Sequence, residues 1–154
     1  MRICSTLCYL SGRGRTLMLH RGKRPGDIHA GKWNGLGGKL EPGETPEECV
    51  VREVREESGL KISRPRFRGV LTFPGFDGEN DWLVFVYTAR RFSGKLGRTP
   101  EGLLRWIPDR DVASLPLWEG DRIFLRWLKG KRFFSAKFTY KKGRLRGARV
   151  RFYP

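Results

Sequence analysis

The chain has 154 residues, 38% of them hydrophobic and 31% charged, with a formal net charge of +16 at pH 7. This length and apolar content predict a single domain, residues 1–154, with its own core. No apolar run approaches the roughly 18 residues that a membrane helix needs, and the first residues lead straight into a strand-like segment rather than a signal peptide, so a cytoplasmic location is expected. Cys4, Cys8 and Cys49 are odd in number and have neither a CxxC spacing nor a histidine partner at metal spacing. They read as small core residues in a reducing compartment.

Residues 3–10 and 16–20 read as strands flanking a turn at 12–14, and Trp33-Asn34-Gly35-Leu36-Gly37-Gly38-Lys39 follows as a glycine-rich segment. The next element is a helix. Thr45, Pro46 and Glu48 form a capping-box start with proline at the first helical position, and Gly59 supplies a stop. Val50, Val51 and Val54 mark its buried stripe. Beside them Glu53, Glu56 and Glu57 stand at i, i+3 and i+4, so helical winding puts three carboxylates on one face.

Like charges at this spacing oppose helix formation by roughly 0.2–0.5 kcal/mol per pair, and a divalent cation removes the repulsion. All-oxygen donors suit Mg²⁺ first and Mn²⁺ second. The same residues would also make a solvated face neutralised by Glu48/Arg52 and Arg52/Glu56 pairs.

The larger pattern favours the cation. Gly38, Glu44, Arg52-Glu53, Val54, Glu56-Glu57, Gly59 and Leu60 occupy fixed spacings over residues 38–60, and together they resemble the Nudix hydrolase signature at every specified position. The resemblance implies an α/β/α sandwich with a mixed sheet, a Nudix loop-helix, a C-terminal helix and a hairpin. It also implies Mg²⁺-dependent hydrolysis of a nucleoside diphosphate linked to a further group. Glu53, Glu56, Glu57 and the Gly38 carbonyl would hold the ion, Arg52 and Glu44 would orient the cluster, and Glu101, in a loop outside the signature, is a candidate proton acceptor or a plain surface residue.

The segment with Trp33, Asn34 and Lys39 resembles the approach to the signature in 8-oxo-dGTP diphosphatases, where the asparagine reads a purine edge. An amide that donates and accepts suits that task. Otherwise Asn34 is a turn former and Trp33 a core residue.

Downstream, residues 67–73 read as a strand, 74–80 as a turn, 82–92 as the longest apolar run and 104–107 as a short strand. Phe73 falls where the same subgroup places an aromatic in the base pocket, and it also fits a core position. Leu117-Trp118-Glu119-Gly120-Asp121 resembles the tryptophan and acidic pair that close over the base, with Gly120 where animal enzymes carry the second acid; Asp121 also fits as a helix N-terminal charge. Residues 119–129 predict a second major helix, and 133–140 with 145–152 a terminal hairpin.

Pro74 and Phe76 lie near positions that mark ADP-ribose and dinucleoside polyphosphate hydrolases. The basic charge also suits an RNA 5′ end as substrate, or a non-catalytic nucleic-acid-binding scaffold. The acidic residues concentrate at Glu41, Glu44, Glu47, Glu48, Glu53, Glu56 and Glu57, which leaves the rest of the chain basic, notably residues 13–32 and 129–151. Such a field would steer polyphosphates inward and permits nonspecific nucleic-acid contact. No obligate protein partner is evident.

Overall fold

The computed structural model describes residues 1–22 and 26–154, so Lys23 and Arg24 of the first basic stretch lie outside the described residues. In chain order the elements are β1 (Arg2–Gly12), β2 (Arg15–Arg21), β3 (Trp33–Asn34), α1 (Pro46–Ser58), β4 (Lys61–Ser63), β5 (Arg66–Phe73), β6 (Asp81–Ala89), β7 (Arg91–Ser93), β8 (Gly102–Pro108), α2 (Asp109–Val112), α3 (Glu119–Trp127), β9 (Phe133–Lys141) and β10 (Arg144–Tyr153). The expected strands, the two main helices and the terminal hairpin are all present. The apolar run at 82–92 is two strands, broken at Arg90, because β6 and β7 pair with different partners. β3, β4 and α2 are too short to carry a periodic signal.

The main sheet runs β10-β9-β5-β6-β1-β2-β3, with β8 also paired to β2, while β4 and β7 form a separate ribbon. It is mixed, as expected, with β1/β6 and β5/β9 parallel. Two hairpins use two-residue turns with both central residues at positive φ, Arg13-Gly14 and Lys142-Gly143, which matches the right-handed twist of the flanking strands.

Helices cover both faces of the sheet. α1 keeps the capping box, with Thr45 Oγ1 accepting from Glu48 N–H and Glu48 accepting from Thr45 N–H, and it ends at Gly59 in the left-handed region. Its Val50 and Val54 are fully buried against Cys8, Leu10, Leu36 and Tyr87. Burial of each valine contributes about 1.5–3 kcal/mol. On the other face, Phe124 of α3 packs against Leu71, Val86, Phe134 and Phe138. No helix among the described residues is long and apolar enough to cross a membrane.

The site arises where β1 and β2 part. They pair only next to their turn, at Ser11/Thr16 and Gly12/Arg15, after which β2 turns away to β8 and β3. Residues 36–40 take the vacated edge of β1, through Thr6 N–H to Gly38 O, the reciprocal Cys8/Leu36 bonds and Leu40 N–H to Cys4 O.

Candidate active site

Beside this edge lies a cleft of about 690 Å³, whose walls come from β1, the loop after β3, α1, the residue before β8, the start of α3 and the C-terminal hairpin. One end is acidic and the other aromatic.

At the acidic end Arg52 is the organising side chain. Its Nε and Nη2 hold both Glu44 oxygens at 2.6 and 2.9 Å, and its Nη1 reaches Glu53 at 2.8 Å and Glu56 at 3.2 Å. The guanidinium holds the Glu44 carboxyl well below the usual carboxylate range, at about 2, and is itself pushed up by these acceptors. Both expected links of Arg52, to Glu44 and to the cluster, are formed. The Glu48/Arg52 pair of a solvated face is not, because Glu48 is engaged in the helix cap.

Glu57 is buried and accepts the Gly37 N–H at 2.7 Å. Burial raises its pKa first, and the Glu101 carboxyl beside it raises it further. Glu101, expected in a loop, precedes β8 directly and is tethered by Arg21, which also binds Asp27. Two carboxyl groups from distant parts of the chain therefore converge. Burial also raises the pKa of Glu53. Glu56 is more exposed than Glu53, at 58% against 17%, and lies toward the outer surface of α1.

The chemistry of this donor set fits a hard divalent cation. Among the described residues no three carboxylate, imidazole or thiol groups already stand in a coordination arrangement, since Arg52 engages Glu53 and Glu56 while Glu57 is turned to Gly37. The donors are all oxygens, negative charge is concentrated on one helix face, and the exposed Glu56 has room to swing. The Gly38 carbonyl already accepts from Thr6 N–H at 2.9 Å and the Cys49 thiol at 3.4 Å. A Cβ on residue 38 would sit 2.4 Å from the Glu53 carboxyl carbon, so a side chain there would push a carboxylate of the cluster out of place.

At the aromatic end the cleft is walled by Phe73, Phe76, Trp118 and Tyr140, with Asn34 and Asp121 as polar groups. Trp118 Nε1–H donates to His29 Nδ1 at 2.9 Å, which requires a neutral imidazole; burial and the nearby Arg21 lower the His29 pKa accordingly. Asp121 is buried, and burial pushes its carboxyl up to about 7, with Lys32 opposing. Trp33 is not a wall of this cleft. Its ring stacks on His20 at 4.6 Å and its backbone N–H bonds Pro116 O, which is a packing role. Lys39 does line the cleft, with its ammonium 5.4 Å from the Trp82 ring.

The missing second acid has a structural explanation. A Cβ at Gly120 would lie 2.8 Å from the Tyr140 hydroxyl, and that hydroxyl accepts the Gly120 N–H at 2.6 Å. Tyr140 thus takes the space next to Asp121. Its hydroxyl, having accepted one bond, keeps a hydrogen to donate. Nothing in the local sequence pointed to Tyr140, Arg21 or His29 as cleft residues, because each is brought in by tertiary structure from a strand or loop of ordinary composition, and Phe76 was marked only by its nearness to a dinucleoside polyphosphate hydrolase position.

The acidic cleft in a basic molecule leads to a kinetic expectation. Added salt should lower kcat/KM while leaving kcat nearly unchanged, since screening acts on encounter rather than on bound substrate. A flat kcat/KM in a steady-state titration of ionic strength would exclude steering.

The family model described as NUDIX domain matches residues 2–128. An uncharacterized Nudix hydrolase of Bacillus subtilis, YvcI, is 34% identical over 140 residues, covering 88% of this chain and 85% of that protein. The oxidized purine nucleoside triphosphate hydrolase of Danio rerio is 30% identical, with 88% of this chain and 85% of that protein covered. The crystal structure of the MutT mutator protein from Bacillus halodurans superposes with a TM-score of 0.86 at 30% identity, covering 96% of this chain and 97% of that one.

Proposed function

The chain belongs to the Nudix hydrolase family, and from that premise we propose that it hydrolyses nucleoside triphosphates to monophosphate and pyrophosphate, with oxidised purine nucleotides such as 8-oxo-dGTP as its preferred substrates. The observation that carries this reading is the polarity of the cleft, which sets a carboxylate cluster at one end and aromatic faces with an amide and a buried acid at the other.

In this reading the base enters against Trp118 and Phe73. Asn34 donates and accepts along its edge, and Asp121, held partly protonated near neutrality by burial, donates to a purine carbonyl. The Tyr140 hydroxyl supplies a second donor where Gly120 leaves no acid. The triphosphate then extends toward Lys39 and α1.

Glu53, Glu56 and Glu57 would hold Mg²⁺, or Mn²⁺ in its place. A divalent cation there would neutralise phosphate charge and lower the pKa of the attacking water. A carboxylate of the cluster, Glu101 being the candidate outside α1, takes the water proton as the water oxygen bonds to phosphorus and a P–O bond of the α–β bridge breaks, separating monophosphate from pyrophosphate. Arg52 keeps Glu53 oriented throughout, with Glu44 holding Arg52 in turn.

The decisive experiment compares kcat/KM for 8-oxo-dGTP, dGTP, a pyrimidine triphosphate, ADP-ribose, diadenosine polyphosphates and 5′-triphosphorylated RNA. The oxidised purine should lead, and a clear lead for any of the others overturns the substrate assignment.

Variants refine the test. Asn34→Ala and Tyr140→Phe each remove one base-edge group, and each should erode discrimination between 8-oxo-dGTP and the pyrimidine by about 5- to 150-fold, the scale of one buried hydrogen bond. Hydrolysis of poor substrates should be nearly unaffected. A uniform loss for Asn34→Ala across all substrates would mean that it shapes the turn at Gly35 instead.

A further inference from the structure

The face of β9 and β10 that points away from α3 is not covered by α1 and carries a second, unrelated pattern. On the α3 side Phe134, Ala136 and Phe138 are buried, so alternation directs Phe133, Ser135, Lys137 and Thr139 to the opposite face. Register places Arg149 opposite Lys137, Arg151 opposite Ser135 and Tyr153 opposite Phe133 on that same face.

Two features of this face call for a partner. First, β5, β9 and β10 contain no acidic residue, and Lys137 and Arg149 are a directly opposed like-charge pair, which opposes strand pairing. Among the described residues neither they nor Arg151 has an ion-pair partner. Second, exposed rings border the charges. Tyr153 is 44% exposed and Phe67 39%, joined through Phe133, whose ring lies 5.0 Å from Phe67 and 6.3 Å from Tyr153. Charges on an edge strand also discourage edge-to-edge pairing, but that accounts for neither Lys137 on the inner strand β9 nor the exposed rings.

We propose that this sheet face binds single-stranded nucleic acid, with Lys137, Arg149 and Arg151 on backbone phosphates and Tyr153 and Phe67 as stacking surfaces for bases. The charge complements a phosphate backbone, and exposed rings serve unpaired bases, whose faces a duplex hides. None of these residues lines the cleft, so the surface is independent of the catalytic reading. Its occupant lies on the far side of β9 from Tyr140.

The test is fluorescence anisotropy with a labelled oligothymidylate of about 15 nucleotides in EDTA, on the full chain. Binding should weaken with salt on a log–log slope of about −2, the value for three phosphate contacts on a single strand. The combined variant Lys137→Ala/Arg149→Ala/Arg151→Ala should lose at least ~10-fold in affinity and flatten the slope. Tyr153→Ser should lose roughly 5-fold or more with the slope unchanged, which separates stacking from charge. Both variants should keep wild-type kcat, the triple variant should melt no lower than wild type because a like-charge pair is relieved, and saturating dGTP should not displace the oligonucleotide.

Undiminished binding in the triple variant, equal affinity for a duplex of the same length, displacement by dGTP, or binding to phosphatidylserine vesicles without binding to the oligonucleotide would each overturn the proposal. None of those results would alter the reading of the cleft.

Discussion

Glu57→Gln is expected to lower kcat by at least ~100-fold with little change in stability, the scale of losing a group that acts on charge developing in the transition state. The substitution keeps size and keeps an oxygen to accept the Gly37 N–H, so the loop that Glu57 supports should stay in place. It removes one carboxylate from the pair that meets Glu101. A buried carboxyl whose pKa is raised on folding destabilises the fold when ionised, and the neutral amide should therefore hold or raise the melting temperature at neutral pH in the absence of divalent cation. Steady-state turnover of any good nucleotide substrate, with a thermal melt in EDTA alongside it, measures both halves. Turnover near wild type would remove Glu57 from the catalytic cluster, and a large loss of stability would give it a structural role instead.

Gly37→Ala is expected to be nearly as damaging by a different route. A Cβ on residue 37 would lie 1.9 Å from the Thr6 carbonyl oxygen and 2.6 Å from its carbon. These are backbone atoms of a strand paired with β6 from Arg2/Asp81 to Leu10/Ala89, so β1 does not give way. The loop must move, and with it go the Thr6 to Gly38 bond and the Gly37 to Glu57 bond. Overpacking of this kind costs about 1–3 kcal/mol. At roughly 2–4 °C per kcal/mol for a domain of this size, the melting temperature should fall by about 2–12 °C. Because Asn34 and the carboxylates are positioned from the two ends of this loop, kcat/KM should fall by ~100-fold or more even where the protein remains folded. A variant with unchanged melting temperature and activity would show that the loop has another conformation available.

The two variants bear on different levels of the same site, and those levels were unequally legible in the sequence. The carboxylate face of α1 was readable because everything it depends on is local. Helical winding alone brings Glu53, Glu56 and Glu57 together, Thr45, Glu48 and Gly59 delimit the helix by short-range bonds, and Arg52 reaches Glu44 within one loop. The strands and the terminal hairpin were legible for the same reason, since two-residue periodicity and a Lys142-Gly143 turn are properties of neighbouring residues.

The aromatic half of the cleft was legible only where a resemblance pointed to it, at Asn34, Phe73, Trp118 and Asp121. Trp33, drawn in by the same resemblance, proved to stack on His20 outside the cleft. Trp33 and Asn34 are successive residues of β3, and neighbouring strand residues point to opposite faces, so a motif that names both cannot say which faces the substrate.

What tertiary structure alone decided is which distant residues share a volume. The splaying of β1 from β2 opens the cleft, the return of the chain before β8 delivers Glu101 to Glu57, and the pairing of β9 with β5 carries Tyr140 to Gly120. Such juxtapositions depend on strand order and register. Those are set by the packing of the whole core rather than by any window of sequence, because burying one face of each strand selects the register while leaving no local mark of the partner it meets.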